Sequence, residues 1–312
     1  MSLAITVFRR YGIAVVTVTL FGVLALTTHG FVSSSNFRNI LDQQSTLLIA
    51  ASFVTITMIA GGFDLSVASV FVVAPLFALQ VERHTGNALL AALIGVLLGL
   101  AVGVINGLIV TWLKVNSFIA TLATSFMVFG MGFLVSKRSI LRSTTSLYPK
   151  LARTRWLGLT TATWVALAVV LCAWFLLART RFGRHVYAVG GNPEAARLAG
   201  VSISQVTIVA FGLAGAAAGL AGVINSARSL SAQPSDDFSF VFGVISAVVV
   251  GGTSIAGGEG AVWRTVAGAL FIALMTNGFN LHQVDPIWQR IIQGSVILGA
   301  AGIDTWSQRR PK

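Results

Sequence analysis

Stretches of about twenty apolar residues recur along the whole of this chain, and that pattern leaves few folds open to it. In a bilayer every backbone N–H and C=O must find its partner within the protein, so only helices and closed barrels span it. Barrel strands alternate apolar and polar residues over about ten positions, whereas the apolar runs here are continuous. Hydrophobic residues make up 55% of 312 and charged residues 10%, with a mean hydropathy of +0.86. A soluble domain carries about 25% charged residues. The expected fold class is therefore all-α, a polytopic transmembrane helix bundle of about ten spans. The spans are drawn at 11–28, 44–62, 66–81, 88–112, 117–136, 160–178, 205–226, 239–256, 262–280 and 286–303, in one transmembrane domain over 1–312. Gly95-x-x-x-Gly99-x-x-x-Gly103 and Gly215-x-x-x-Gly219 have the small-residue spacing of closely packed membrane helices.

The net charge is +12. The basic residues lie between apolar runs, with no aromatic-interleaved basic patch, so they read as lipid-headgroup and topology charges and not as a nucleic-acid surface. Arg9 and Arg10 precede the first apolar run, which is longer than a signal-peptide core and has no clear cleavage site; it is expected to remain as the first span. Arg309, Arg310 and Lys312 follow the last run. With an even number of spans, both termini and the segment 179–204 fall on the cytoplasmic side. The segment 137–159 then falls outside, although it holds Lys137, Arg138, Arg142, Lys150, Arg153 and Arg155, so charge bias supports this topology weakly. The single cysteine, Cys172, excludes an intrachain disulfide and is expected to be a small buried hydrophobe.

The polar run from Thr180 to Val201 stands out in so apolar a chain. Asn192 is a strong N-cap type, Pro193 suits the first helical position, and Glu194 suits the positive end of the helix dipole. Ala195, Ala196, Arg197, Leu198 and Ala199 favour helix, and Gly200 can end it in the left-handed conformation. Gly190 and Gly191 are expected to turn the chain just before. A helix of about seven residues is too short to persist alone in water and must dock on something. It either packs on the ends of the spans or offers a small alanine face to a groove in a cytosolic partner. Arg184, Gly191, Asn192, Pro193, Glu194, Ala195, Ala196, Arg197 and Leu198 are the residues expected to couple to that partner.

Other chemistry is absent from the sequence. No Gly-x-x-x-x-Gly-Lys-Ser/Thr loop is present, so ATP and any other cofactor are expected on a partner and not on this chain. His29, His84, His185 and His282 are far apart and show no metal-ligand spacing. No nucleophile elbow or zinc-protease helix occurs, and no catalytic role is expected. Asp64 is the acid closest to a membrane interior, where carboxylates are functional suspects; its Asp-x-Ser setting reads as a helix cap. A polar solute crossing the bundle needs hydrogen-bonding side chains to replace water. Asn106, Asn116, Thr121, Asn225, Gln233, Asn277 and Asn280 are the candidates for such a path, and each could equally be interhelical glue.

Five ordered motifs add a resemblance. Thr180-Arg-Phe-Gly-Arg through Ala195-Ala-Arg-Leu-Ala-Gly200 closely resembles the cytoplasmic loop of sugar-type ABC importer permeases, the ribose permease family. Gly61-Gly-Phe-Asp-Leu-Ser-Val67, Phe118-Ile-Ala-Thr-Leu122, Ser231-Ala-Gln-Pro234 with Gly251-Gly-Thr-Ser-Ile-Ala-Gly-Gly258, and Asn277-Gly-Phe-Asn-Leu281 resemble that family's other segments, so the likeness covers about 40–300. The resemblance implies a multi-pass permease of a bacterial inner membrane that pairs with a second permease copy or a paralogue. It implies a cytosolic ATPase subunit docked around Asn192–Leu198 and a periplasmic solute-binding protein delivering sugar from outside. Alternating access would be driven by the ATPase. An ion-coupled secondary transporter, or a branched-chain amino-acid permease of the same superfamily, is the alternative. The chain departs from the family pattern where Val241-Phe-Gly-Val-Ile245 replaces Glu-Leu-Asp-Ala-Ile, and at Glu259 and Arg264. These changes are expected near the inner ends of spans eight and nine, at the seam between two permease subunits, and would favour an unlike partner.

Overall fold

A computed structural model describes residues 3–308. The helices run in the order α1 (Leu3–Thr27), α2 (Ser34–Ile59), α3 (Ser66–Thr85), α4 (Ala88–Trp112), α5 (Ser117–Ser136), α6 (Lys150–Arg153) and α7 (Thr161–Arg179). They continue with α8 (Arg181–Gly191), α9 (Pro193–Leu198), α10 (Ile203–Ser229), α11 (Ser239–Val250), α12 (Val262–Leu281) and α13 (Pro286–Gln308). Four two-residue strands make two antiparallel ribbons. β1 (Leu141–Arg142) pairs with β4 (Ser231–Ala232), Leu141 opposite Ala232, and β2 (Arg155–Trp156) pairs with β3 (Leu159–Thr160).

A helix occupies or overlaps each expected span, but among the described residues six are long and apolar enough to cross a membrane: α3, α4, α5, α7, α10 and α12. The count of about ten is not established by the described residues. At 1.5 Å per residue, α11 reaches only about 18 Å of the ~30 Å hydrocarbon core. It ends at Val250 because the chain turns at Gly251 and Gly252, the latter at φ +81°, and so stops short of the 256 expected. The helix α2 begins ten residues before its expected span, capped by Ser33, and its first turns are polar. Residues 49–59 of α2 are all buried, making it the central helix of the core.

The tightest crossing is α4 on α10. A Cβ added at Gly99 would lie 2.1 Å from the carbonyl oxygen of Gly215, and one at Gly103 would lie 2.2 Å from that of Phe211. The two glycine rows are thus backbone-to-backbone packing, the role such spacing has in lipid. Cys172, expected inside, is exposed on α7.

The two ends of the bundle differ. At one end Thr160 donates to Asp42 (2.6 Å), and Arg228 Nη1 donates to the Asp42 carbonyl (2.7 Å). The β1–β4 ribbon lies at this end as well, tying the 137–160 segment to the last turn of α10. At the other end, the last turn of α2 meets α8 and the turn after α11, with α9 following α8. The basic 137–160 segment therefore lies opposite α9.

Candidate functional site

The polar run folds as two helices, where sequence reasoning gave one. Thr180 ends α7 and caps α8, its hydroxyl accepting from Gly183 N (3.2 Å). Gly183, Val186 and Val189 form a buried stripe along α8 at helical spacing. That stripe was the available signal. The three glycines, each about 1 kcal/mol poorer than alanine in a helix, obscured it. Gly190 and Gly191 do not turn the chain; they are the last residues of α8. Asn192 ends α8 and caps α9, its Oδ1 accepting from Ala195 N (3.0 Å), with Pro193 at the first helical position as expected. Gly200, at φ +81°, follows the six-residue α9, and Val201 N donates to Ala196 O.

The alanine face is divided. Ala196 is buried against the chain's own helices and so is not offered to a partner. Ala195, Ala199 and Leu198, the last 76% exposed, point outward. Across the exposed surface Arg197 donates to Glu194 at 2.6 and 3.2 Å, a pair that straps the short helix. Arg184 is exposed and donates to Thr180 O (3.4 Å).

The seat of this helix pair is made of glycine pairs from three distant segments. A Cβ added at Gly190 would meet Ile59 O at 1.7 Å and Gly258 N at 2.7 Å, so only bare backbone fits. Gly258 N donates to Ile59 O (2.8 Å). Gly257, at φ +89°, brings its Cβ position within 3.0 Å of Gly61 Cα, and Gly258, at φ +76°, within 2.8 Å of Gly191 Cα. Tyr187 adds a bond to Gly260 O (2.8 Å). Burial pushes the Tyr187 hydroxyl above its ordinary range, against the opposing pull of the Arg264 charge, which keeps it a proton donor. Sequence reasoning singled out the Gly61, Gly190 and Gly258 segments separately. It missed that they meet, and it missed Tyr187.

The expected path residues fall into three places. Near the α9 end, Asp64 Oδ1 accepts from Ser66 N (2.9 Å) and Ser66 Oγ (2.6 Å), closing the expected Asp-x-Ser turn, although Leu65 and not Asp64 is the N-cap of α3 and Asp64 Oδ2 is buried with no hydrogen-bond partner among the described residues. Asn106 Nδ2 donates to Ser66 Oγ (2.8 Å), and Thr121 Oγ1 accepts from Leu65 N (3.1 Å). Asn106 and Thr121 are fully buried and tie α4 and α5 to the turn before α3. Asn116 is an exposed N-cap of α5. At the opposite end, Asn277 and Asn36 exchange reciprocal amide bonds (2.8 and 2.9 Å), and Asn280 accepts from Gln289 (3.1 Å). Asn277 is thus a cross-link between α2 and α12. Asn225 and Gln233 share a cavity, of about 250 Å³, between α3, α10 and β4.

The departures at 241–245, Glu259 and Arg264 do not share one corner. Val241 is fully buried in the first turn of α11, far along the helix from the Gly251 turn, while Glu259 and Arg264 lie at the α9 end. A carboxylate at 241 would be enclosed in apolar core here, which is costly.

The family described as "Branched-chain amino acid transport system / permease component" matches residues 36–301. The chain belongs to this permease family. The ribose import permease of Escherichia coli K12 is 35% identical over 293 residues, 93% of this chain and 91% of that protein. The L-arabinose transport system permease of the same strain is 33% identical over 303 residues, 97% and 92%. Its D-allose transport system permease is 31% identical over 299 residues, 95% and 91%. No solved structure matches the chain. The permease is a multi-pass membrane protein, with α8 and α9 forming a polar segment between the apolar helices α7 and α10.

Proposed function

We propose that this permease carries a sugar or sugar-like solute across a bacterial inner membrane by alternating access, driven by a separate cytosolic ATPase that docks on α9. The chain itself is non-catalytic, and ATP is bound and hydrolysed on the partner. A periplasmic solute-binding protein delivers the solute, and a second permease copy or a paralogue completes the pathway. The observation that carries this reading is the short, doubly capped α9, with Leu198 exposed beside the Glu194–Arg197 pair and its backbone seated through α8 on the ends of α2 and of the turn after α11. A push on α9 is passed through backbone contacts that have no side chains to absorb it. The matched relatives named for ribose, L-arabinose and D-allose support a sugar over an amino acid.

The test is reconstitution of the permease with its ATPase and binding protein, assayed with D-ribose, L-arabinose and D-allose. Accumulation that requires ATP and survives collapse of the proton gradient is the expected result. Uptake that needs the gradient and ignores ATP would overturn the reading. Purification after expression of this permease gene alone distinguishes a homodimer from a required paralogue.

A further inference from the structure

The cavity shared by Asn225 and Gln233 has a composition that the importer reading does not by itself require. It lies at the β1–β4 end, opposite α9, and therefore faces the outer side if the ATPase docks on α9. On one wall are Asn225 and Ser226 of α10, with Ser231 and Gln233 from the β4 segment. On the other are Phe71 and Pro75 of α3. We infer that this cavity is the outer subsite of the solute pathway, built for an uncharged polyol of monosaccharide size; the inference rests on the importer reading above.

The polar wall has unused hydrogen-bonding capacity. Asn225 Oδ1 is held by Arg228 Nη2 (3.1 Å), which leaves Nδ2 with no partner among the described residues. Gln233 is exposed to solvent at the rim of the cavity, its amide likewise open to a ligand. Such groups at a ligand cavity are what hydroxyls need in exchange for lost water. None of the lining side chains is charged. Arg228, one turn away, is occupied by the Asp42 carbonyl at 2.7 Å and lies 4.0 Å from its carboxylate. An amino acid would bring an ammonium and a carboxylate into this space with no counter-charge for either, an expensive transfer. A sugar carries no such cost.

The apolar wall is prefixed. Phe71 stacks on Phe240 with ring centroids 3.6 Å apart and planes 8° from parallel. Pro75 has no N–H, so the Phe71 carbonyl lacks its intrahelical donor. Gly222 of α10 sits against that carbonyl, its Cβ position 2.3 Å from the oxygen. A flat apolar wall facing amides and hydroxyls suits a pyranose or furanose, which has C–H faces and a hydroxyl rim. At about 250 Å³ the space is below the roughly 300–1,000 Å³ of drug-sized pockets, which favours one sugar ring over an oligosaccharide.

The 142–148 segment, which bonds to the polar wall at Ser226 and pairs with Ser231, is itself anchored. The buried Glu82 carboxylate accepts from Ser143 Oγ (2.9 Å), Thr144 N (3.1 Å), and Thr145 N and Oγ1 (2.8 and 2.6 Å). Tyr148 shares a hydrogen bond with Ser226 (2.7 Å), and Arg142 pairs with Ser231 across the ribbon. These contacts hold the polar wall in place before any solute arrives.

The single cysteine makes a direct test practical. In the complete reconstituted complex, Cys172→Ser removes the native thiol, and Gln233→Cys or, as control, the exposed Ser146→Cys supplies a new one. Labelling at 233 by a membrane-impermeant maleimide is expected to slow severalfold in D-ribose, L-arabinose or D-allose and to be unaffected by L-leucine, with labelling at 146 unaffected by either. In a second measurement, Asn225→Leu is expected to cut uptake at low sugar about tenfold per inserted complex, the loss of one or two neutral hydrogen bonds. Labelling at 233 that no sugar slows, or that leucine slows, would overturn the subsite while leaving wild-type ATP-driven uptake intact. Absence of such uptake in the wild type would overturn the importer reading and the subsite with it.

Discussion

Gly99 shows how little room a residue has where α4 crosses α10. Its Cβ position falls on the Gly215 carbonyl, so Gly99→Val must push two helices apart. Overpacking of this kind costs about 1–3 kcal/mol and at a backbone contact can cost more. The expected outcome is a clearly lowered Tm for the detergent-solubilised protein, with Gly22→Val, which has open space around it, close to wild type. Tyr148 makes a second residue-scale prediction. Burial, reinforced by the Glu82 charge and only partly offset by the Ser226 hydrogen bond, pushes its hydroxyl up to about 12. A pKa raised above the ordinary ~10 contributes stability that is full below pH ~10 and is lost as pH rises toward the folded value. Ultraviolet titration of the folded protein should show a phenolate step near 12 that disappears in Tyr148→Phe. The glycine row was legible in the sequence because its spacing matches the helix period. The Tyr148 environment was not, since Ser226 and Glu82 reach it only through the ribbon at the end of α10.

At the scale of elements, α9 repeats in structure what its letters imply: an asparagine cap, a proline start and a left-handed glycine after the end. Pro193→Gly with Arg197→Glu removes the preset backbone angle and replaces the Glu194–Arg197 attraction with repulsion. The expected outcome is normal membrane insertion with transport lost, measured as ATP-driven uptake beside a quantified membrane-inserted fraction. Full uptake would show that α9 does not transmit the stroke. The same element shows the limit of local reading. Caps are local interactions, so α9 was legible. The burial of Ala196 and the helical state of α8 depend on the neighbouring helices, and α8 carries glycines that local propensity counts against.

For the whole molecule, the basic 137–160 segment and α9 occupy opposite ends, so they must face opposite sides of the membrane. A tag inserted at Ser146, exposed and clear of the Glu82 hydrogen bonds, is expected to be reachable from outside intact cells, and a tag after Leu198 only after permeabilisation. Labelling of both from one side would refute the arrangement. The family's permease function, the helical class and the capped helix were determined by the sequence, because hydrophobic length, spacing and capping act over a turn or a span. Only the tertiary structure decided that Gly61, Gly190 and Gly258 form one backbone junction, that Asn277 is a cross-link, and that Asn225 and Gln233 share a cavity. Those roles depend on which distant backbones come within a few ångströms, and close packing sets that through contacts that no single stretch of the chain contains.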